Sequence, residues 1–99
     1  MKSDPLDVIR ESDASLFGLI GDARSLAFQE GEISKKHKLL IALAIDVAKN
    51  SESGVRSLAM QALENGATKK EIMETLRIAY FICGVGSVYA VAPALKDVL

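Results

Sequence analysis

Apolar residues in the middle of the chain recur at the spacing of helices. In the stretch 39–48 only Asp46 is polar, and Ser34 stands where the N-cap of such a helix would lie. A helix that is apolar on every side is normally covered on every side. The pattern therefore predicts a buried helix over residues 35–49.

Two further helices follow, and capping residues mark each of them. Over residues 55–65 the apolar side chains fall at i, i+3, i+4, i+7 and i+8, which is typical of an amphipathic helix, and Gly66 is placed to end it. Thr68 and Glu71 then form a T-x-x-E capping box, which predicts a third helix that runs towards Ile82.

The N-terminal segment predicts either one bent helix or two. Ser3 or Asp4 before a proline suits a helix start, and Ser12 or Asp13 offers a second cap. Gly31 is placed as the C′ residue that ends the segment.

The last segment, residues 87–99, is apolar and contains Pro93, which predicts a kink or a proline in the first turn of a helix. Because no segment shows the alternation of a strand, the predicted fold class is all-α.

Composition adds expectations about assembly and location. The chain has 99 residues, the size of one domain over residues 1–99, yet 49% of them are hydrophobic. So large an apolar share in a short chain predicts a subunit interface and hence a homo-oligomer.

The net charge of −1, with acids and bases interspersed, argues against a nucleic-acid partner. A single cysteine and a polar start without an apolar core predict a cytoplasmic protein.

One uncharged stretch raises the alternative of a membrane span. Residues 78–95 carry no formal charge, and their length is near the lower limit for a transmembrane helix. Gly84, Gly86 and Pro93 interrupt the stretch, and a helix buried between subunits explains the same composition. We therefore expect no membrane partner.

Three segments together carry a family resemblance. They are the apolar residues 40–44, the motif A-L-x-x-G-A-T-x-x-E-I at residues 62–72, and the aromatic run that reaches Gly84. In this spacing, residues 33–99 resemble the carboxymuconolactone decarboxylase and alkylhydroperoxidase D-like family. The resemblance implies an all-α helical bundle with a central helical hairpin, assembled as a trimer or hexamer.

The reactive residues of that family are missing. Its peroxidase branch uses a C-x-x-C-x-x-x-H run, in which a helix N-terminus lowers the pKa of a thiol. The matching positions here hold Ser51, Gly54 and Leu58, and the position of the family's acidic residue holds Leu39. The decarboxylase branch keeps the histidine of this run. Here Leu58 occupies that position, so the histidine is missing as well. We therefore predict no catalytic residue, no cofactor and no metal ligand.

Two residues are alternative carriers of chemistry. Cys83, the only thiol, falls on an apolar stripe, so it is predicted to be a small buried hydrophobe. As a redox group it would need an external thiol as reductant. His37, the only imidazole, is predicted to lie on the surface beside three lysines, with a catalytic role as the alternative. One His and one Cys form no metal cluster, although carboxylate sites stay open.

Three other segments have alternative interpretations. The basic run 35–38 is predicted to be a solvated first turn with acidic neighbours, or else an anion site. The glycines of segment 84–87 follow a helix rather than a strand, so they do not indicate a nucleotide-binding loop. Tyr80, Phe81 and Tyr89 are predicted to pack in the core, with an apolar pocket as the alternative.

Three functions follow as hypotheses. The first is a non-redox, catalytically degenerate family member that acts as a homo-oligomeric assembly module or binds a small apolar or anionic molecule. The second is a divergent peroxidase, peroxiredoxin-like in its chemistry, or a divergent decarboxylase. The third is a partner subunit of a catalytically complete paralogue. The missing reactive groups favour the first, so an enzyme is not the expected answer.

Overall fold

The computed structural model describes residues 4–99, which form six α-helices and no strand. The helices are α1 (Asp7–Ser12), α2 (Ala14–Phe28), α3 (Lys35–Ala48), α4 (Glu52–Glu64), α5 (Lys69–Cys83) and α6 (Val85–Val98). This confirms the predicted all-α fold class. Across this described range, no helix combines the length and apolar character needed to cross a membrane.

The chain divides into two compact units, with the boundary between Glu30 and Gly31. In the first unit the residues form two helices rather than one bent helix. The Asp13 carboxylate caps α2 by accepting a hydrogen bond from the backbone N–H of Leu16 at 3.0 Å. Ser3, one of the two residues predicted to start the first helix, lies outside the described residues. The prediction of one domain over residues 1–99 stays a prediction.

The second unit has an apolar core to which all four of its helices contribute. α3 packs against α4, α5 and α6, and α6 also packs against α4 and α5. The buried core residues are Leu43, Val47, Val55, Ala59, Ile72, Leu76, Ala79, Val91, Ala94 and Leu95. Alanine on α4, α5 and α6 takes little space, which allows neighbouring helix backbones to approach closely.

Only one face of α3 is covered by the other helices of the second unit. Leu39, Leu43 and Val47 are buried, whereas Ile41 and Ile45 keep 50% and 55% of their surface exposed. The helices of the second unit therefore do not bury α3 on every side, and its burial between subunits stays a prediction. The reason is that α4, α5 and α6 leave the side with Ile41 and Ile45 uncovered.

The predicted caps of the central helices are present. The Ser34 hydroxyl accepts a hydrogen bond from the backbone N–H of His37 at 3.3 Å. In the capping box, the Thr68 hydroxyl accepts from the N–H of Glu71 at 3.1 Å, and the Glu71 carboxylate accepts from the N–H of Thr68 at 2.9 Å. Gly66 follows the end of α4 with φ +95°, a left-handed conformation that suits glycine.

Three helix ends differ from the prediction. α2 is ended by the extended residue Gln29, so Gly31 is not its C′ residue. α4 begins at Glu52 rather than Val55, since an acidic residue is favourable at the positive end of a helix. α6 begins at Val85 rather than Ser87, so Pro93 lies in its interior, and of the two predicted alternatives the first-turn proline is wrong. 

Glu71 joins the starts of α3 and α5. Its carboxylate accepts a hydrogen bond from the Lys36 ammonium at 3.0 Å. Ala48 and Cys83, at the other ends of the two helices, line one cavity, so α3 and α5 run parallel. The bond from Lys36, followed by the backbone N–H of Thr68, lowers the pKa of Glu71 below its ordinary value.

We expect Glu71→Gln to remove part of the acid sensitivity of the fold. Because the pKa of Glu71 is lowered from 4.5 in the folded chain, its charge stabilises the fold above that pH, and this contribution is lost as the pH falls below it. Glutamine retains the capping bond without the charge. Urea unfolding from neutral to acidic pH should show a smaller loss of stability in the variant.

The matched control is Glu74→Gln, which removes a carboxylate of the same helix that makes neither contact. Its acid response should follow that of the natural chain. Equal acid responses in the natural chain and in Glu71→Gln would contradict the prediction.

Candidate functional site

The positions at which the family resemblance places reactive groups lie around the start of α4 and on α3. Ser51 is the N-cap of α4, although its hydroxyl makes no capping hydrogen bond. Gly54 is the third residue of α4, and Leu58 is partly buried against the core. Leu39 is 2% exposed. None of these residues supplies a thiol, an imidazole or a carboxylate.

A carboxylate from the preceding helix occupies the space beside Gly54. A methyl group at position 54 would overlap Oδ2 of Asp46 and would lie 2.8 Å from the Ser51 hydroxyl oxygen. The missing Cβ therefore makes room for Asp46 at the N-terminal end of α4. Free backbone N–H groups and the helix dipole favour negative charge there.

Asp46 was not among the residues predicted for this site. The sequence did carry a signal for it, because Asp46 is the only polar residue in the stretch 39–48. A polar residue in an otherwise apolar helix needs a partner or access to solvent. The turn after α3 brings this carboxylate to the first turn of α4.

Cys83 is exposed, so the prediction of a buried small hydrophobe is wrong. It is the last residue of α5, and Gly84, with φ +89°, redirects the chain directly after it. Cys83 therefore lies beyond the part of the helix that packs on the core. It borders an apolar cavity of about 170 Å³ between α3 and α5. The other residues that line this cavity are Ala44, Ile45, Ala48, Ile78, Ala79 and Ile82.

His37 lies towards the opposite end of the same helix pair. Its Nδ1 atom is 2.8 Å from the Ser34 hydroxyl oxygen, and its side chain is exposed, as predicted. It borders a second cavity, of about 420 Å³. The other residues that line this second cavity are Leu40, Ile41, Ala44, Ile45, Thr75 and Ile78.

The two cavities share Ala44, Ile45 and Ile78 and so form one apolar groove along the two helices. We name it the α3–α5 groove. His37 and Cys83 lie near its two ends. From the rise per residue of an α-helix, their separation along the helix axis is about 16 Å. The structure therefore does not bring the two candidate reactive groups together.

The three aromatic residues near the α5–α6 turn are not in the core. Tyr80, Phe81 and Tyr89 are exposed by 53%, 83% and 77%, so the prediction of core packing is wrong for the single chain. Only Ala79 and Leu76 of this part of α5 reach the core. Tyr80 instead borders a cavity of about 290 Å³ between α5 and α6, in line with the predicted alternative.

The basic first turn of α3 has an acidic neighbour, because Lys36 pairs with Glu71. The alternative of an anion site there stays a prediction. Within residues 4–99, no three His, Cys, Asp or Glu side chains lie together so as to hold a metal ion.

We expect the effect of Gly54→Ala on stability to depend on Asp46. Alanine normally stabilises a helix by about 1 kcal/mol relative to glycine. In the natural chain the added methyl must displace the Asp46 carboxylate, which offsets that gain, whereas in an Asp46→Ala background the gain should appear. Urea unfolding of the four chains should give a coupling of about 1 kcal/mol.

Gly86→Ala is the matched control, since nothing lies within 4 Å of a methyl group at that position. Its effect should be the same with and without Asp46. A Gly54→Ala effect that is also independent of Asp46 would show that the carboxylate does not fill this space.

Comparisons with known proteins agree with this architecture. The model of the carboxymuconolactone decarboxylase family matches residues 15–97. The structure is similar to the crystal structure of an apo carboxymuconolactone decarboxylase family protein from Legionella pneumophila, with a TM-score of 0.85. Sequence identity is 30%, and the match covers 92% of this chain and 81% of that chain. No curated protein matches the sequence. On the family match and this structural similarity, the chain belongs to the carboxymuconolactone decarboxylase family.

Proposed function

We propose that this family member is a homo-oligomeric module that binds a small molecule and carries out no thiol redox chemistry. The observation that carries the proposal is the uncovered apolar surface where α5 meets α6. We name this surface the α5–α6 patch. It consists of Tyr80, Phe81, Ile82, Val85 and Tyr89, which are exposed by 53%, 83%, 72%, 53% and 77%.

Burying the α5–α6 patch against another copy of the chain is energetically favourable. Each large apolar side chain moved out of water contributes about 1.5–3 kcal/mol. Aromatic side chains are also enriched in protein interfaces. The five residues of the patch carry no charge, so their own burial leaves no charged group without a partner. The family resemblance leads us to expect a trimer or a hexamer.

The part of the proposal that excludes thiol redox chemistry is based on the residues at the start of α4. Ser51 and Gly54 stand where the family resemblance places two thiols, and Asp46 fills the space beside Gly54. A carboxylate is neither a peroxide-reducing nucleophile nor a resolving thiol.

The α3–α5 groove supports the small-molecule part of the proposal. Its larger cavity measures about 420 Å³, a volume that small-molecule sites commonly have.

We expect Phe81→Glu to dissociate the assembly. A carboxylate in a dry interface lacks a partner, which is strongly unfavourable. In sedimentation velocity at micromolar concentration, the natural chain should sediment as an oligomer and the variant as a monomer. Circular dichroism should show that both remain helical.

Met60→Glu is the control, because Met60 is an apolar residue of α4 that is already 48% exposed. This variant should keep the oligomeric state of the natural chain. A natural chain that sediments as a monomer would overturn the assembly part of the proposal.

The exposure of Cys83 favours a second candidate function, that of a divergent peroxidase. In this reaction the Cys83 thiolate attacks the peroxide O–O bond, which yields an alcohol and a sulfenic acid. A first external thiol forms a mixed disulfide with release of water, and a second restores the thiolate and leaves as the external disulfide. The reaction depends on an external thiol because Cys83 is the only cysteine.

An assay of cumene hydroperoxide with dithiothreitol separates the two functions. We expect consumption by the natural chain to equal the uncatalysed rate, with no change in Cys83→Ser. Consumption that is clear in the natural chain and lost in Cys83→Ser would instead establish the peroxidase and remove the non-redox proposal.

A further inference from the structure

The cavity of about 290 Å³ between α5 and α6 is separate from the α3–α5 groove, since the two have no lining residue in common. We name it the Arg77 cavity. α5 contributes four residues at i, i+3, i+4 and i+7, which lie on one face of that helix, and α6 contributes two residues near its start. The lining residues are Met73, Leu76, Arg77, Tyr80, Val85 and Val88.

The inner wall of the Arg77 cavity is apolar and belongs to the packed part of the chain. Leu76 is a buried core residue, and Met73 and Val88 pack against the core. Apolar groups of a ligand that enters the cavity are therefore removed from water, which is favourable. The Tyr80 ring and the Met73 thioether both make favourable contacts with aromatic rings. This lining favours a ligand whose apolar part is aromatic.

Arg77 is the only charged residue that lines the cavity. Its side chain is exposed, and within residues 4–99 its guanidinium makes no ion pair and no hydrogen bond. An arginine beside an apolar wall packs its stem along that wall and keeps its charged group in water. The positive charge therefore lies at the mouth of the cavity.

The start of α6 is a second feature that favours an anion at this cavity. Val85 is the first residue of α6 and also lines the cavity. No side chain caps the helix at Gly84, and its first turn contains no acidic residue. Free backbone N–H groups and the positive end of the helix dipole favour negative charge there. An anion at the mouth thus interacts with Arg77 and with the start of α6.

We propose that the Arg77 cavity binds an aromatic monocarboxylate. The aromatic ring lies against Met73, Leu76 and Val88, and the carboxylate accepts hydrogen bonds from the Arg77 guanidinium, whose planar donors fit two carboxylate oxygens. A cavity of about 290 Å³ is near the lower end of the range for small-molecule sites, so the ligand is small. This site goes beyond the proposed function, whose small molecule lies in the α3–α5 groove.

The Arg77 cavity adjoins the surface that we propose joins the subunits. Tyr80 and Val85 belong both to the cavity and to the α5–α6 patch. Association through the patch brings the Arg77 guanidinium close to a surface without water, where a charge needs a partner. The ligand carboxylate supplies that partner, so ligand binding and assembly are compatible.

The test is calorimetric titration of the full chain with 2-naphthoate, for which we expect saturable binding of one molecule per chain. The neutral analogue 2-naphthamide should bind about tenfold more weakly, because it lacks the charge that Arg77 and α6 favour. Decahydro-2-naphthoate, which has the charge but saturated rings, should bind about fivefold more weakly.

Three variants locate the site. Arg77→Met keeps an apolar stem on the wall and should weaken 2-naphthoate binding about tenfold while leaving the affinity for 2-naphthamide unchanged. Lys70→Met removes a cation of α5 that does not line the cavity and should leave both affinities unchanged. Val88→Phe fills the cavity and should abolish binding of both compounds, with circular dichroism as the check on folding.

Three results would overturn the inference. They are no saturable binding of 2-naphthoate by the natural chain, equal binding of 2-naphthoate and 2-naphthamide, and an equal response of Arg77→Met and Lys70→Met. Sedimentation of the same samples separates this inference from the assembly proposal. A monomer that binds 2-naphthoate through Arg77 removes only the assembly, whereas an oligomer that does not bind it removes only the carboxylate site.

Discussion

The parallel packing of α3 against α5 sets the geometry on which the other features of this protein depend. The inner faces of the two helices supply Leu43, Val47, Ile72 and Leu76 to the core. Their starts are held together by the contact of Lys36 with the capping box of α5. Because the helices run in the same direction, both basic first turns lie at one end. Their outer faces, which α4 and α6 leave uncovered, form the α3–α5 groove.

At the start of α4 the chain has other residues where the family resemblance places reactive groups. The positions matched to the two thiols and the histidine hold Ser51, Gly54 and Leu58. Glycine allows the Asp46 carboxylate to lie against the first turn of α4, where a negative charge is favourable. A thiolate at the same place would be favoured for the same reason. The end of α4 thus carries a carboxylate beside the position where the resemblance places a thiol.

The four helices of the second unit leave many large apolar side chains exposed. Each helix has one face on the core, yet α3, α5 and α6 carry large apolar residues on other faces as well. Ile78, Phe81 and Tyr89 are exposed by 65%, 83% and 77%. Such residues are energetically costly in water. The proposed function therefore covers them, by another copy of the chain at the α5–α6 patch and by a small molecule in the α3–α5 groove.

The sequence by itself determined the helices, most of their caps and the family. Ser34, Gly66 and the capping box of α5 act within about four residues along the chain, so local sequence contains all that they need. The absence of the family's two thiols and histidine could also be read from the local sequence, because it concerns residue identities within one short run. The resemblance drawn from the motif at residues 62–72 is confirmed by the family match.

Only the tertiary structure decided which apolar residues are covered. Local periodicity marks a face as apolar, but neighbouring helices that are distant in sequence determine whether that face is buried. This is why α3 is open on one side and why Cys83 is exposed at the end of α5. Asp46 meets Gly54, and Lys36 meets Glu71, for the same reason. These contacts join different helices, and no pattern within a single helix encodes them.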